Sequence, residues 1–494
     1  MRLADRGFVR SDNLPVLRDL PDGAFDLVYV DPPFNSNRRY GLHGGQPARA
    51  RRQSQEPHEE PVLAFDDAWR WTEATEPLFA QAVKELPPRV GALLRTLREV
   101  LGPGQLLAYL TMMVPRLVEI HRILAPTGAL YVHCDPQASH YLKLFLDVIF
   151  GPQYFRREIV WRSGWVSGFK SRARNWARNH DIILYYTRDR EYVFNKEAAY
   201  RPHPQGYRRR GGGANPHGVA LDDVWTDIYS PWIMSFSREK LGYPTQKPVA
   251  LLERIIRVST RPGMRVLDPF AGGGSTLVAA EGLGRRWLGI DTSHLSTALV
   301  RYRMLWRFGL DRTRFTVRGE PGDLKAARRL AQEEPVQFGW WALSLLHARP
   351  LGARRLGPGH LPVRVEGALP ATGGLLDDEA PPILVPAAPN RGGALESWTL
   401  VVVQPVVRPS DLPELLQRAQ ALGASRVLAT GLDIPAGTAW EPVSGQGRFA
   451  WESDEACVRL VPLETLLRRD LTPALIQRPL PELQGRPPRR VSRS

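Results

Sequence analysis

The stretch Arg265–Asp291, RVLDPFAGGGSTLVAAEGLGRRWLGID, decides the fold. A short apolar run, Arg265–Leu267, passes into Asp268-Pro269-Phe270-Ala271-Gly272-Gly273-Gly274-Ser275-Thr276. A helical pattern, Thr276–Leu283, follows, and a second apolar run, Trp287–Ile290, ends at Asp291. Strand, glycine-rich turn, helix, strand and a closing acid describe a βαβ unit whose first turn faces a ligand. Glycine suits that turn because it tolerates positive φ and lets a ligand approach the backbone. Outward from this unit, β-branched runs alternate with helical patterns from the N-terminus to about residue 310, which predicts an α/β sheet. Further strands are expected at Phe25–Val30, Ala129–Val132 and Asp181–Tyr186, and helices at Leu117–Leu124, Tyr141–Ile149 and Pro248–Ser259.

The glycine spacing is not that of a dinucleotide site. It reads Phe270-x-Gly272-x-Gly274, with Asp268 inside the turn. A carboxylate there repels a pyrophosphate and favours an ammonium or sulfonium group. S-adenosylmethionine carries both and no phosphate, and Asp291 is placed to accept hydrogen bonds from two ribose hydroxyls. A glycine-rich turn with no ligand, or one that binds NAD, is the alternative.

A second motif, Asp31-Pro32-Pro33-Phe34, follows the apolar run FDLVYV directly. In open α/β sheets ligands sit beyond the carboxyl ends of strands. An amino group on adenine or cytosine is a poor nucleophile because its lone pair is delocalised into the ring. Acceptance of its hydrogens by the Asp31 carboxylate and the Pro32 carbonyl would favour a pyramidal nitrogen. Two prolines stiffen that carbonyl's presentation, and Phe34 offers a face on which an extruded base stacks. A proline-rich turn with Asp31 as a turn residue is the bland alternative.

Composition is consistent with this. The 494 residues suffice for two or three domains, and 43% apolar content supports real cores. A formal net charge of +15 suits a polyanionic partner, although an arginine-rich, lysine-poor chain also arises from codon bias. There is no apolar run of about 18 residues and no signal-like apolar segment after Met1. Cys134 and Cys457 are too few for a disulfide framework or a cysteine zinc site. The expectation is a soluble, cytoplasmic protein whose motifs call for no metal and no membrane.

Taken together, the motifs resemble those of the β-class DNA amino-methyltransferases, including modification subunits of restriction–modification systems. In that family a DPPF-like catalytic motif precedes an FxGxG cofactor motif, as here. Between them lie Thr127–Asp135 (TGALYVHCD), Asn179–Thr187 (NHDIILYYT) and Gly242–Ile256 (GYPTQKPVALLERII), each similar to a family block in the expected order. Ser11–Leu17 (SDNLPVL) is similar to the adenosine-side segment, with Ser11 in place of the usual glycine. The resemblance covers roughly residues 9–310. It implies a Rossmann-like α/β methyltransferase sheet with permuted motif order over residues 1–315, and a smaller C-terminal α/β domain over 336–470. Asp31, Pro32, Pro33 and Phe34 would hold the target base. Asp268, Phe270, Gly272, Gly274 and Asp291 would bind S-adenosylmethionine, with Asp12 and Asn13 as weaker candidates on the adenosine side. Lys247 would meet the methionine carboxylate at the head of a helix opened by Thr245–Pro248, whose N-terminus would help. The leading acid of the tetrapeptide favours adenine N6 over cytosine N4. An RNA methyltransferase is the more distant alternative.

Double-stranded DNA is the expected partner, with a homodimer and a separate restriction subunit as further candidates. Phe155–His180 interleaves basic residues with Trp161, Trp165, Phe169 and Trp176. Arg162, Trp165, Arg172 and Arg174 are therefore candidate DNA contacts, and a buried tryptophan cluster beneath a solvated arginine face is the competing reading. Residues 187–240 occupy the family's target-recognition position and contribute Arg208, Arg209 and Arg210. Residues 41–62 read as a mobile loop. The C-terminal third opens on an apolar helix within 336–350, followed by a strand at Trp398–Gln404, a helix at Asp411–Leu422 and a strand at Ser425–Thr430. It resembles, faintly, a degenerate restriction-endonuclease-like domain, with Gln404-Pro405 where a metal-site lysine would be wanted. The basic tail, 476–494, reads as disordered.

Overall fold

The computed structural model describes residues 4–33, 39–41, 63–66, 69–165, 174–203, 215–231, 237, 239, 241, 243, 245–309 and 315–345, together with strands at 349–355, 363–370, 398–403, 426–431, 442–443, 448–453 and 456–462. The chain forms two units. One comprises residues 1–43, 63–300 and 315–319; the other comprises 44–62, 301–314 and 320–494.

In the first unit the elements run β1 (Arg6–Arg10), α1 (Asn13–Asp19), β2 (Phe25–Val30), β3 (Arg39–Gly41), β4 (Leu63–Asp66), α2 (Thr75–Glu85), α3 (Pro88–Leu101), α4 (Gln105–Ile123), β5 (Leu124–Cys134) and α5 (Pro136–Phe150). They continue β6 (Phe155–Arg162), β7 (His180–Thr187), β8 (Tyr200–Arg201), β9 (Val219–Ala220), β10 (Val224–Trp225), α6 (Val249–Ser259), β11 (Arg265–Asp268), α7 (Ser275–Gly282), β12 (Arg286–Asp291), α8 (His294–Phe308, which belongs to the second unit from Arg301) and β13 (Thr316–Arg318). Nine strands form one sheet in the order β10-β6-β7-β5-β2-β11-β12-β1-β13. Every pairing is parallel except those of β7, which runs against both β5 and β6. This is the α/β class expected from the sequence.

A parallel sheet is covered on both faces, so its strands are apolar throughout rather than alternating. Leu27, Val28, Tyr29 and Val30 of β2 accordingly lie in the core, as do Leu130 and Val132 of β5 and Val266 and Leu267 of β11. β2 pairs with β5 on one side and β11 on the other, in the register Leu27↔Ala129 and Val266↔Leu27. From β2 the chain winds outward in one direction, and from β11 in the other. The two motifs therefore emerge side by side at the switch point of the sheet, where such folds open a crevice.

The expected strands and helices of this unit are present, β2 with the expected bounds, α6 starting one residue later, α7 shifted by one residue and the others longer, and α4 differs most. Its first turn forms at Gln105, twelve residues ahead of Leu117, and Pro115 sits inside it. A proline in a helix interior costs about 3 kcal/mol. Burial of Leu107, Tyr109, Leu110, Met113, Val114, Leu117 and Ile120 outweighs that cost, at about 1.5–3 kcal/mol for each large side chain. Among the described residues, no helix is long and apolar enough to cross a membrane.

The second unit contains α9 (Leu324–Glu333), α10 (Pro335–Leu345) and strands β14 (Arg349–Arg355), β15 (Val363–Pro370), β16 (Trp398–Val403), β17 (Arg426–Gly431), β18 (Pro442–Val443), β19 (Arg448–Ser453) and β20 (Ala456–Pro462). They form a mixed sheet, β14-β15-β16-β17-β20-β19-β18. The apolar helix expected within 336–350 is α10, with Phe338, Trp340 and Trp341 fully buried. The strands expected at Trp398–Gln404 and Ser425–Thr430 are β16 and β17. The expected helix 411–422, Gln404-Pro405, residues 42–62 and the tail lie outside the described residues.

One buried cluster ties the cofactor half of the first unit together. Glu281 of α7 accepts the indole N–H of Trp287 on β12 at 2.8 Å and pairs with Arg6 on β1 at 3.0 Å. Its side chain is 2% exposed. Glu281→Leu should therefore lower unfolding stability by about 1–3 kcal/mol, because the buried Trp287 indole and the partly exposed Arg6 guanidinium lose their acceptor. Glu281→Gln, which keeps an acceptor oxygen, should recover part of the loss. Urea denaturation followed by tryptophan fluorescence measures both, and a Leu variant as stable as the parent would refute this account.

Candidate active site

Five adjacent strands place an aspartate at or just beyond their carboxyl ends. In spatial order these are Asp135 after β5, Asp31 after β2, Asp268 ending β11, Asp291 ending β12 and Asp12 beyond β1. Neighbouring strands are about 4.8 Å apart, so an unrelieved row of carboxylates at one edge would repel itself strongly. Each finds different relief. Asp12 accepts from Arg116 at 2.8 and 3.0 Å. Asp31 accepts from Lys247 at 2.7 and 2.8 Å. Asp135 caps α5 through the Ala138 amide at 2.8 Å and pairs with Arg178 at 3.4 Å.

The central two are held by amides and hydroxyls instead. Asp268 accepts the Phe270 amide at 3.0 Å. Burial pushes its carboxyl up to about 7, against hydrogen bonds from Thr276 and Phe270, while the charges of Asp31 and Asp291 add to the rise. Asp291 accepts from the Gly272 amide at 2.8 Å and the Ser293 amide at 2.9 Å, and burial raises its carboxyl despite them. A pocket of buried carboxylates with raised affinity for protons is chemically matched to a cation.

The glycine turn is built as the motif requires. Gly272 has φ +47° and Gly274 φ +73°, and a Cβ on Gly274 would meet Val300 Cγ2 at 2.5 Å. The Tyr243 ring lies over Gly272, 3.2 Å from where a Cβ would stand. Burial, followed by the charge of Asp291, raises the Tyr243 phenol well above its usual value. Phe270 is partly buried against the main core. Tyr243 was not singled out from the sequence; its position directly before Pro244-Thr245-Gln246-Lys247 was the available signal.

The segment leading into α6 departs from expectation. Lys247 is buried and its ammonium bridges both oxygens of Asp31. Pro248 is the N-cap residue and the helix starts at Val249, whose amide donates to the Glu239 carboxylate at 3.1 Å. The helix N-terminus and the lysine, assigned from the sequence to an incoming carboxylate, are thus both engaged by the protein's own acids. The sequence could not reveal this, because Glu239 and Asp31 reach α6 only through the fold. The Ser275 hydroxyl donates to the Lys247 carbonyl at 2.7 Å, which fastens this segment to the head of α7.

Arg116 on α4 is a second residue that the sequence did not flag. It donates to both oxygens of Asp12, to Asn13 Oδ1 and to the Met112 carbonyl. Asn13 Nδ2 in turn donates to the Pro269 carbonyl, in the glycine turn, at 2.6 Å. Asp12 also caps α1 through the Leu14 amide at 2.8 Å. Asp12 and Asn13 therefore connect the glycine turn to α4.

On the other side of β2, Tyr29 Oη and His133 Nδ1 lie 2.7 Å apart, and His133 Nε2 is 3.3 Å from Asp181. Arg178 donates to Asp181 at 2.6 Å. Burial works to raise the Asp181 carboxyl, but His133, Lys247 and Arg178 together hold it well below the usual range. Pro32 is buried and Pro33 half-buried.

The candidate DNA residues divide. Arg162 and Arg174 are exposed, and Trp165 is 48% exposed with its ring edge on Tyr229 at 5.4 Å. Trp161 is a core residue instead, 1% exposed with its indole N–H on the Ile228 carbonyl at 2.8 Å. Phe34, Phe169, Arg172, Arg208, Arg209 and Arg210 lie outside the described residues.

Two strand-end acids flank the sheet switch point, and one of them stands in the glycine turn. The family model described as DNA methylase matches residues 25–298, more than half of the chain, and the chain belongs to that family. Type II methyltransferase M.BamHI from Bacillus amyloliquefaciens is 32% identical over 185 residues, 35% of this chain and 41% of that protein. The chain spans 57% of Type II methyltransferase M.EcaI from Enterobacter cloacae, at 28% identity. DNA adenine methyltransferase YhdJ from Escherichia coli is 23% identical over 337 residues, 66% of this chain and 92% of that protein. Among solved structures, the cytosine-N4-specific PvuII DNA methyltransferase aligns with a TM-score of 0.37 at 13% identity, over 63% of this chain and 95% of that one.

Arg116 supplies the prediction of this section. Arg116→Met should cost about 1–3 kcal/mol in urea unfolding, since Asn13 and the Met112 carbonyl lose a buried donor. Arg116→Lys, able to meet Asp12 but not all four acceptors at once, should fall between. Equal stability of parent and Met variant would show that the cluster adds nothing.

Proposed function

We propose that this chain is an S-adenosylmethionine-dependent DNA methyltransferase that modifies adenine N6 in duplex DNA after extruding the target base. The observation that carries the reading is the placement of Asp31 and Asp268 on the neighbouring strands β2 and β11, at one open edge of the sheet. The first heads a Pro-Pro acceptor motif, and the second stands in a glycine turn suited to a cation. The family assignment supports DNA as substrate, and the relative from Escherichia coli that shares two thirds of this chain carries the adenine name.

The residues fit the cofactor on chemical grounds. Asp268 and Asp291 offer carboxylates that burial makes receptive to positive charge, and Gly272 and Gly274 themselves add no side chain to the turn, over which the Tyr243 ring lies. When bound, S-adenosylmethionine supplies an electrophilic methyl group on a sulfonium. Asp31 then accepts one hydrogen of the base amino group and the Pro32 carbonyl accepts the other, which localises the nitrogen lone pair. With the methyl group so supplied, the base nitrogen would exchange an N–H bond for an N–C bond, and Asp31 would carry the proton it loses to solvent. Lys247 orients the Asp31 carboxylate by bonding both oxygens, and each oxygen retains acceptor capacity for the substrate. Double-stranded DNA is the proposed partner, steered by the net positive charge.

Transfer of tritiated methyl from S-adenosylmethionine to unmethylated genomic DNA, followed by nucleoside analysis, is the direct test. Label should appear in N6-methyladenine and fall by a factor on the order of 10²–10⁴ in Asp31→Ala, with cofactor affinity retained. Label in N4-methylcytosine would overturn the base assignment, and no label with intact cofactor binding would overturn DNA methylation itself.

The raised carboxyl of Asp268 makes a second prediction. Below pH 7 this group is protonated and neutral, so a cationic ligand loses its partner. S-adenosylmethionine affinity should therefore weaken as pH falls below 7, by up to about tenfold per unit. Binding near pH 6.5 should release a proton, seen as a buffer-dependent heat in titration calorimetry. Affinity independent of pH between 5.5 and 7 would exclude this role for Asp268.

A further inference from the structure

We infer that Trp176 is the residue that enters the duplex and fills the gap left by the extruded base; this rests on the base-extruding methyltransferase reading above. Strands β6 and β7 are antiparallel, with Trp161↔Asp181 and Arg162↔His180 in register. The ladder continues through the Ser163 amide, which donates to the Asn179 carbonyl at 3.1 Å. Because β6 runs in the same direction as β5 and β2, the C-terminal end of β6 and the start of β7 stand at the edge of the sheet that carries Asp31.

The limb that leads into β7 is anchored to that edge. Arg178 donates to Asp181 at 2.6 Å and to Asp135 at 3.4 Å, and Asp135 is buried at the head of α5. β7 is two strands from β2 in the sheet, so the anchor stands about 10 Å from the Asp31 strand. That separation sets the limb beside the base pocket, where the flanking duplex would lie, rather than inside it.

Two residues before the anchor, Trp176 is 96% exposed, the most exposed of the large apolar side chains described. The other described tryptophans of the segment are engaged: Trp161 is buried, and Trp165 packs its edge against Tyr229. Arg174, two residues before it, is exposed, and the half-exposed Arg178, two residues after it, is paired with Asp135 and Asp181. An unengaged indole between arginines suits an anionic partner that offers flat aromatic faces, and a base stack with one member removed is such a partner. A protein partner would more naturally meet a contiguous apolar patch than a lone ring among guanidinium groups.

The test compares wild type, Trp176→Ala and Trp176→Phe on two short duplexes that carry the site the wild-type enzyme marks in genomic DNA. One duplex is fully paired, and the other lacks the base opposite the target. On the paired duplex kcat/KM for Trp176→Ala should fall by about 10- to 100-fold, the scale of a lost base–aromatic stack, with Trp176→Phe intermediate. On the second duplex, whose target is already unpaired, the loss should shrink to a few-fold. S-adenosylmethionine affinity should be unchanged throughout, because the ring is solvent-exposed and supports no core. An equal loss on both duplexes, no loss on either, or a change of oligomeric state as the sole effect would overturn the inference while leaving the methyltransferase reading intact. Absence of methyl transfer by the wild type would overturn both.

Discussion

The structure is organised around a crowding of negative charge at one edge of a parallel sheet. Parallel strands with a single hand of crossover all end on the same side, so acids that follow them converge. Asp135, Asp31, Asp268, Asp291 and Asp12 occupy that edge in spatial order. A row of this kind is tolerable only if each member is individually relieved. The outer acids are paired with Arg178, Lys247 and Arg116, supplied by distant parts of the chain. The two in the middle are left to amides and hydroxyls, and burial makes their ionisation unfavourable. A site that is short of positive charge at its centre and neutralised at its flanks is prepared for a cationic ligand in one place only.

The same relief makes the two halves of the site mechanically dependent on each other. Lys247 belongs to the segment that opens α6, yet its ammonium lies on Asp31 beyond β2, while its carbonyl accepts from Ser275 at the head of α7. Arg116 on α4 holds Asp12 and Asn13, and Asn13 holds the carbonyl of Pro269. Catalytic and cofactor motifs far apart in sequence are thus cross-linked by short polar bridges. Substitutions in α4, which touches neither proposed ligand, reach the glycine turn through one intermediary.

The Tyr29–His133–Asp181 chain gives the base side a comparable support. A buried hydroxyl, an imidazole and a carboxylate in series fix the ends of β2, β5 and β7 relative to one another. Hydrogen-bonded groups of this kind specify geometry more than they add stability, since each bond largely replaces one to water. Under the proposed function, that rigidity serves to aim the Pro32 backbone carbonyl.

Much of this was legible in the sequence by itself. The βαβ unit at Arg265–Asp291, the strand before Asp31 and the order of the two motifs follow from local patterns: apolar runs, glycines and acids at fixed offsets in one segment. The family resemblance rests on the same local blocks. What only the tertiary structure decided is which charged groups meet. Lys247 reads as a ligand for an incoming carboxylate because Asp31, 216 positions away, is not a neighbour in sequence. The N-terminus of α6 reads as an anion site until Glu239 folds back onto it. Trp161 and Trp176 belong to one basic-aromatic pattern, yet one is in the core and the other is in solvent. A residue's type and local spacing determine what it is able to do, but its partner is fixed by strand order, because ionic and hydrogen-bonded contacts act over a few ångströms of space irrespective of distance along the chain.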